Sequence, residues 1–169
     1  MNGIEVLADG FGRLPDLVHR VLDGLSADQL EHRPAGTGNS IGWLVWHLAR
    51  VQDAQVAAPA GVEQVWIAKG WVGRLGLALA AADTGYGHDS EKVAAVRGVS
   101  AQLLGGYFDE VHEQTHRYLH GLRDGDLDRV VDTSYDPPVV LGTRLVSVLA
   151  DDLEHVGQAA YLKGLAAAR

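Results

Sequence analysis

Four long stretches of this chain carry apolar residues at α-helical spacing, and glycine, proline or asparagine interrupts the pattern between them. The first covers residues 3–24, with Leu7, Phe11, Leu14, Leu17, Val18, Val21 and Leu22 on one side. Pro15 falls inside it, so this helix either kinks or restarts with Pro15 in its first turn. The second runs from about Ser40 to Ala58 and stops near Pro59, with Asn39 or Ser40 as N-cap. The third starts at Ser90 and continues to about Gly121 along Val93, Val96, Leu104, Tyr107, Val111, Tyr118 and Leu122. The fourth runs from about Gly142 to Leu165. Four such stripes predict an all-α fold, a four-helix bundle in one domain over residues 1–169.

Two segments lie outside the stripes. Residues 59–90 form a long crossover between helices two and three, with Trp66, Trp71, Tyr86 and many glycines. A connection of that length in a small fold carries a role or hides an element, so a short helix or two is expected there. Residues 123–140 contain Asp124-Gly125 and Asp136-Pro137-Pro138, both turn signals, and TSYDPPVV has some extended character.

Charge and composition exclude several functions. The formal net charge of −8 argues against nucleic acid, whose binding draws its affinity from a basic face. No apolar run approaches the ~20 residues of a membrane span. MNGIEVLADGFG has no basic start and is not a signal peptide, so the expected location is cytoplasmic. Cysteine is absent, which rules out disulfides, thiolate metal sites and a thiol nucleophile from the chain itself. Any thiol chemistry must use a cosubstrate.

The fourth helix carries ionisable groups beside its apolar stripe. Asp151 and His155 are four residues apart and so lie on one helical face. A carboxylate and an imidazole so placed can grip one divalent cation from one side. A further ligand must come from another helix, and His47 is the best donor. It sits about 60° from Leu44, on the shoulder of the second stripe. Three protein ligands and an open position make a catalytic metal site, whereas structural sites are closed with four. Asp152 is a rival to Asp151. It lies nearer the centre of the stripe, and its three-residue spacing to His155 is also workable. It can alternatively orient a histidine from behind.

Other residues draw attention with less force. His112, His116 and His120 repeat every four residues, yet they drift onto the outer face of helix three beside Glu113 and Arg117. A solvated face is the expectation. His88 is the isolated histidine best placed to reach a site mouth. Arg50, one turn beyond His47, is a candidate for an anionic substrate group or a salt bridge. Gln158 can hydrogen-bond near the metal, and Gly157 fits tight helix packing. Trp43, Trp46, Trp66 and Trp71 read as core or bundle-end packing.

WLVWHLARVQD, the Gly70-Trp71 pair, DTGYGH at 83–88, DPPV at 136–139 and DDLEHVGQAAYLKG together resemble the DinB superfamily, also called YfiT-like. They most resemble its actinobacterial mycothiol S-transferase branch. The resemblance covers nearly the whole chain. It implies an up-down-down-up bundle, homodimer formation and one divalent metal ion, zinc or nickel foremost. The common ligand set of that family is three histidines, one from helix two and an H-x-x-x-H pair from helix four. This chain has Asp151 where the first of that pair would stand, and the matching spacing favours Asp151 over Asp152. The activity implied is metal-dependent conjugation of a low-molecular-weight thiol, mycothiol, to an electrophile. A hydrolase or isomerase of the same fold, or a non-catalytic metal-stabilised dimeric binding protein, are the alternatives. The composition, with arginine above lysine and abundant alanine, glycine and valine, agrees with a GC-rich actinobacterial genome.

Overall fold

The computed structural model describes residues 1–167; residues 168–169, the end of the expected domain, lie outside it. The first apolar stripe is two helices, α1 (Gly3–Gly12) and α2 (Leu14–Leu22), divided at Arg13. Pro15 sits in the first turn of α2, so the helix restarts there and loses no hydrogen bond to the proline. Asn2 and Glu5 close α1 with a reciprocal capping box. A short α3 (Ala27–Glu31) and a single 3₁₀ turn at Pro34–Gly36 lead to α4 (Ile41–Ala60).

The centre of the fold is α4. Its residues from Ile41 to Ala49 are all buried, and it packs against both later long helices. Ser40, not Asn39, is the cap, with its hydroxyl accepting from the Trp43 amide. That contact contributes about 1 kcal/mol. Pro59 is tolerated in the last turn, and Gly61 ends the helix at φ 67°.

The crossover contains α5 (Val65–Ala68), α6 (Trp71–Leu75) and α7 (Ser90–Ala94). Asp53 of α4 holds the start of α5, its carboxylate accepting from the Val65 and Trp66 amides at 2.9 and 2.8 Å. Trp66 and Trp71 are thereby buried against Tyr107, with ring centroids 5.1 and 5.6 Å away. Both tryptophans are core, as their residue type suggests.

The third helix begins later than its stripe implies. α7 is separate, and α8 (Ala101–Gly121) starts only after a break containing Gly98 at φ 73°. Val93 and Val96 are buried although they lie before the break. The apolar spacing therefore records burial on both sides of a turn, and helical continuity does not follow from it. Glu31 accepts from the Gly98 amide at 2.7 Å and Ser100 caps α8, which fixes the turn.

After a 3₁₀ turn at Asp124–Asp128, β1 (Val130–Asp132) pairs antiparallel with β2 (Val139–Val140). This two-stranded ribbon lies within 123–140, and the fold is otherwise helical. α9 (Leu141–Ala167) closes the core through Leu141, Leu145, Val148, Val156 and Ala159. Lys163 ties its far end to α2, donating to the carbonyls of Arg20 and Asp23. Gly157, expected in tight helix packing, has open space where a Cβ would stand. Among the described residues no helix is long and apolar enough to cross a membrane.

Candidate metal centre

His47 is 5 % exposed, on the side of α4 that meets α9 and the loop 83–88. Its Nδ1–H donates to the Thr84 carbonyl. That bond sets the tautomer and leaves the Nε2 lone pair free, the usual arrangement of a metal-binding histidine. Trp43, one turn earlier, stacks on the imidazole at 4.5 Å and 18°. Burial holds the His47 pKa below its ordinary value, which favours the neutral ring a metal requires.

Asp151 and His155 approach from α9. Asp151 Oδ1 lies 3.5 Å from His155 Nε2, and the His47 and His155 ring centroids are 4.7 Å apart. His155 Nδ1–H donates to Gln158 Oε1 at 3.3 Å, so its Nε2 also faces the centre. Hydrogen bonding to Asp151 raises the His155 pKa above the usual range. One ligand atom from each of His47, Asp151 and His155 lies within 4.8 Å of the others. Asp151 Oδ2 is buried without a hydrogen-bond partner among the described residues. Two imidazoles with bound outer nitrogens, beside an anionic oxygen lacking a partner, fit a divalent cation of borderline softness.

Asp152 points elsewhere. It is 0 % exposed and neither carboxylate oxygen has a hydrogen-bond partner among the described residues, so it orients neither histidine. Burial, with Asp151 adding to it, pushes its pKa well above the carboxylate range.

Arg50 does not reach the site mouth as an anion-binding residue would. It is 1 % exposed, and its guanidinium donates to Asp53, Tyr107, Gln64 and the Asp83 carbonyl. Its role is to anchor the loop 83–88, which lies on His47. The same loop is held by Lys92, whose ammonium meets the Asp83 carboxylate at 3.3 Å. Gly85 takes φ 98°, and a Cβ there would come within 2.3 Å of His47 Nδ1. His88, expected near the site mouth, is instead packed behind the site. Its Nδ1 accepts from Trp43 Nε1 at 3.3 Å and its ring stacks on Trp46 at 5.7 Å. Thr84, Gly85 and the stacking role of Trp43 escape sequence reasoning. Only Trp43 left a signal, because it stands four residues before His47 and one helical turn brings their faces together.

A profile of the DinB superfamily matches residues 11–159. The chain belongs to the DinB superfamily. A conserved protein from Enterococcus faecalis, known from a crystal structure, is similar over 100 % of this chain and 99 % of its own. That pair shares 28 % sequence identity with a TM-score of 0.92. No protein with a curated description matches this one.

In this DinB-superfamily chain Asp151 also lines a cleft, to which neither histidine contributes. The cleft, of 360 Å³, runs from Asp151 between α4, α9 and the ribbon. Gln55, Tyr135, Arg144 and Ser147 give it polar walls, and Val51 and Val148 line its floor. Arg144 is held by Asp132 at 2.8 Å. These cleft residues come from three separate elements, so no spacing in the sequence points to them.

Proposed function

We propose that this protein is a divalent-metal-dependent thiol S-transferase, with zinc as metal and mycothiol as cosubstrate. The observation that carries this reading is the three-residue donor set, with no fourth candidate ligand beside it among the described residues, next to a cleft that Asp151 lines. The resemblance to the mycothiol S-transferase branch selects the thiol, and a hydroxyl-rich thiol suits the cleft walls. His47, Asp151 and His155 would hold the metal, while Thr84 and Gln158 fix the two imidazoles. A bound divalent cation supplies Lewis acidity that lowers the pKa of a coordinated thiol toward neutrality.

The chain's own residues do the rest. Gln55, Ser147 and Arg144 orient the cosubstrate through its hydroxyl and carbonyl groups. Trp43, edge-on to His155 at 6.2 Å, shields the inner side of the centre from water. The thiol proton passes to solvent, and the sulfur pair forms a carbon–sulfur bond as the electrophile's leaving group departs with its bonding pair or its π bond opens and takes up a proton from solvent. The chain has no cysteine to compete as nucleophile.

The test is metal analysis of the purified protein, followed by conjugation assays of several thiols against a panel of electrophiles. One equivalent of metal and turnover only with added thiol are expected. Turnover without thiol would replace this reading by metal-dependent hydrolysis or isomerisation. Stoichiometric metal with no turnover of any kind would reduce the protein to a metal-stabilised binder.

A further inference from the structure

The three histidines of VHEQTHRYLH do not act alike. His112 turns inward and stacks on Phe108 at 5.8 Å, half-buried. His116 and His120 stay exposed and converge, with Nε2 atoms 3.0 Å apart and ring centroids 4.2 Å apart. Two neutral imidazoles can approach so closely only by sharing one proton between two lone pairs. A divalent cation can take the place of that proton and bind both nitrogens.

The spacing also selects among cations. Ligand atoms ~2.1 Å from a metal are about 3.0 Å apart at a right angle and about 3.4 Å apart at the tetrahedral angle. The observed 3.0 Å matches adjacent positions of a square-planar or octahedral ion. Imidazole pairs of that geometry suit Cu(II) and Ni(II) better than Zn(II), and Cu(II) heads the divalent affinity order. The helix beneath the pair is anchored, because the neighbouring Leu119 is fully buried and Thr115 accepts from Gln52 at 2.8 Å. The pair lies in the last turns of α8, which ends at Gly121, and the C-terminal end of a helix favours positive charge. Glu113, three residues before His116, adds to that attraction, and Arg117, three before His120, opposes it.

We propose that His116 and His120 form a second divalent-metal site on the surface of α8, selective for Cu(II) or Ni(II). It is separate from the centre of His47, Asp151 and His155. Its remaining coordination positions are filled by water or by donor groups from solution.

The experiment is a titration of the full chain with Cu(II), Ni(II) and Zn(II), with electron paramagnetic resonance on the copper samples. In His47→Ala/His155→Ala, one equivalent of Cu(II) should remain, with a spectrum showing two equivalent nitrogens. Adding either His116→Gln or His120→Gln should weaken that equivalent by about tenfold or more, because the chelate is lost. If the double-alanine background does not fold by circular dichroism, the same substitutions are made in the wild type. Two copper equivalents should then fall to one. Copper binding unchanged in both glutamine variants, or Zn(II) binding more tightly than Ni(II), would overturn the proposal. Loss of the first centre alone would leave this site intact, so the two readings fail separately.

Discussion

The Thr84 carbonyl decides which nitrogen of His47 is left free toward Asp151 and His155, and Gln158 does the same for His155. Substituting a ligand should therefore differ from substituting its support. His47→Ala or His155→Ala should abolish metal at the centre, whereas His116→Ala should leave it in place. Elemental analysis after dialysis against a weak chelator reads this directly. Equal loss in all three would mean that the centre lies on another helix pair. Asp151→His should keep the metal, since it restores a three-imidazole set. Gly85→Ala tests the support. The added Cβ would stand 2.3 Å from His47 Nδ1, at a φ of 98° that L side chains rarely adopt. Metal affinity should fall roughly 10- to 100-fold, the usual cost of disturbing a ligand's outer partner. Chelator competition with an unchanged dissociation constant would show that the loop 83–88 does not orient the histidine. The grouping of the three candidate ligands was legible because one helical turn separates Asp151 from His155 and His47 stands on a shoulder of its stripe. The preference for Asp151 over Asp152 came from the resemblance and not from periodicity, which gives a direction and cannot give a neighbour.

At the scale of elements, helices α4 and α9 could be read nearly to the residue, and α8 could not. Val93 and Val96 keep helical spacing through the break at Gly98, so the apolar pattern runs straight across a turn. The ribbon of β1 and β2 was visible only as extended character, since its strands are held by neighbours more than by propensity. α8 also carries a testable titration. Burial holds the His112 pKa below its ordinary value, with His116 acting in the same direction and Asp109 opposing. A group of depressed pKa binds its proton more weakly in the folded chain than in the unfolded one. Its contribution to stability is therefore present above the unfolded value, near ~6.5, and is lost as pH falls toward the folded value. His112→Leu should narrow the fall in Tm between about pH 7.5 and pH 5. A wild-type-sized fall in the variant would show that His112 does not carry this part of the acid sensitivity.

For the whole molecule, the decisive fact is that the candidate ligands come from helices far apart in sequence. His47 belongs to α4 and the other two to α9, and these helices make the most extensive packing contact in the fold. A cation held by both binds only the folded chain, so metal and folding are linked. Linkage gives about 2.7 kcal/mol when free metal is 100 times its dissociation constant. For a chain of this size each kcal/mol moves Tm by roughly 2–4 °C, so saturation with zinc should raise it by about 5–10 °C. Removing metal with excess chelator should reverse the rise, and calorimetry with and without zinc measures both. Asp151→Asn should shrink the rise, because it removes the anionic ligand whose Oδ2 is buried without a partner. His116→Gln should leave most of the rise intact, because the pair on α8 favours Cu(II) or Ni(II) over zinc. A zinc-dependent rise that survives in His47→Ala/His155→Ala would show that the stabilising ion binds outside the contact of α4 with α9.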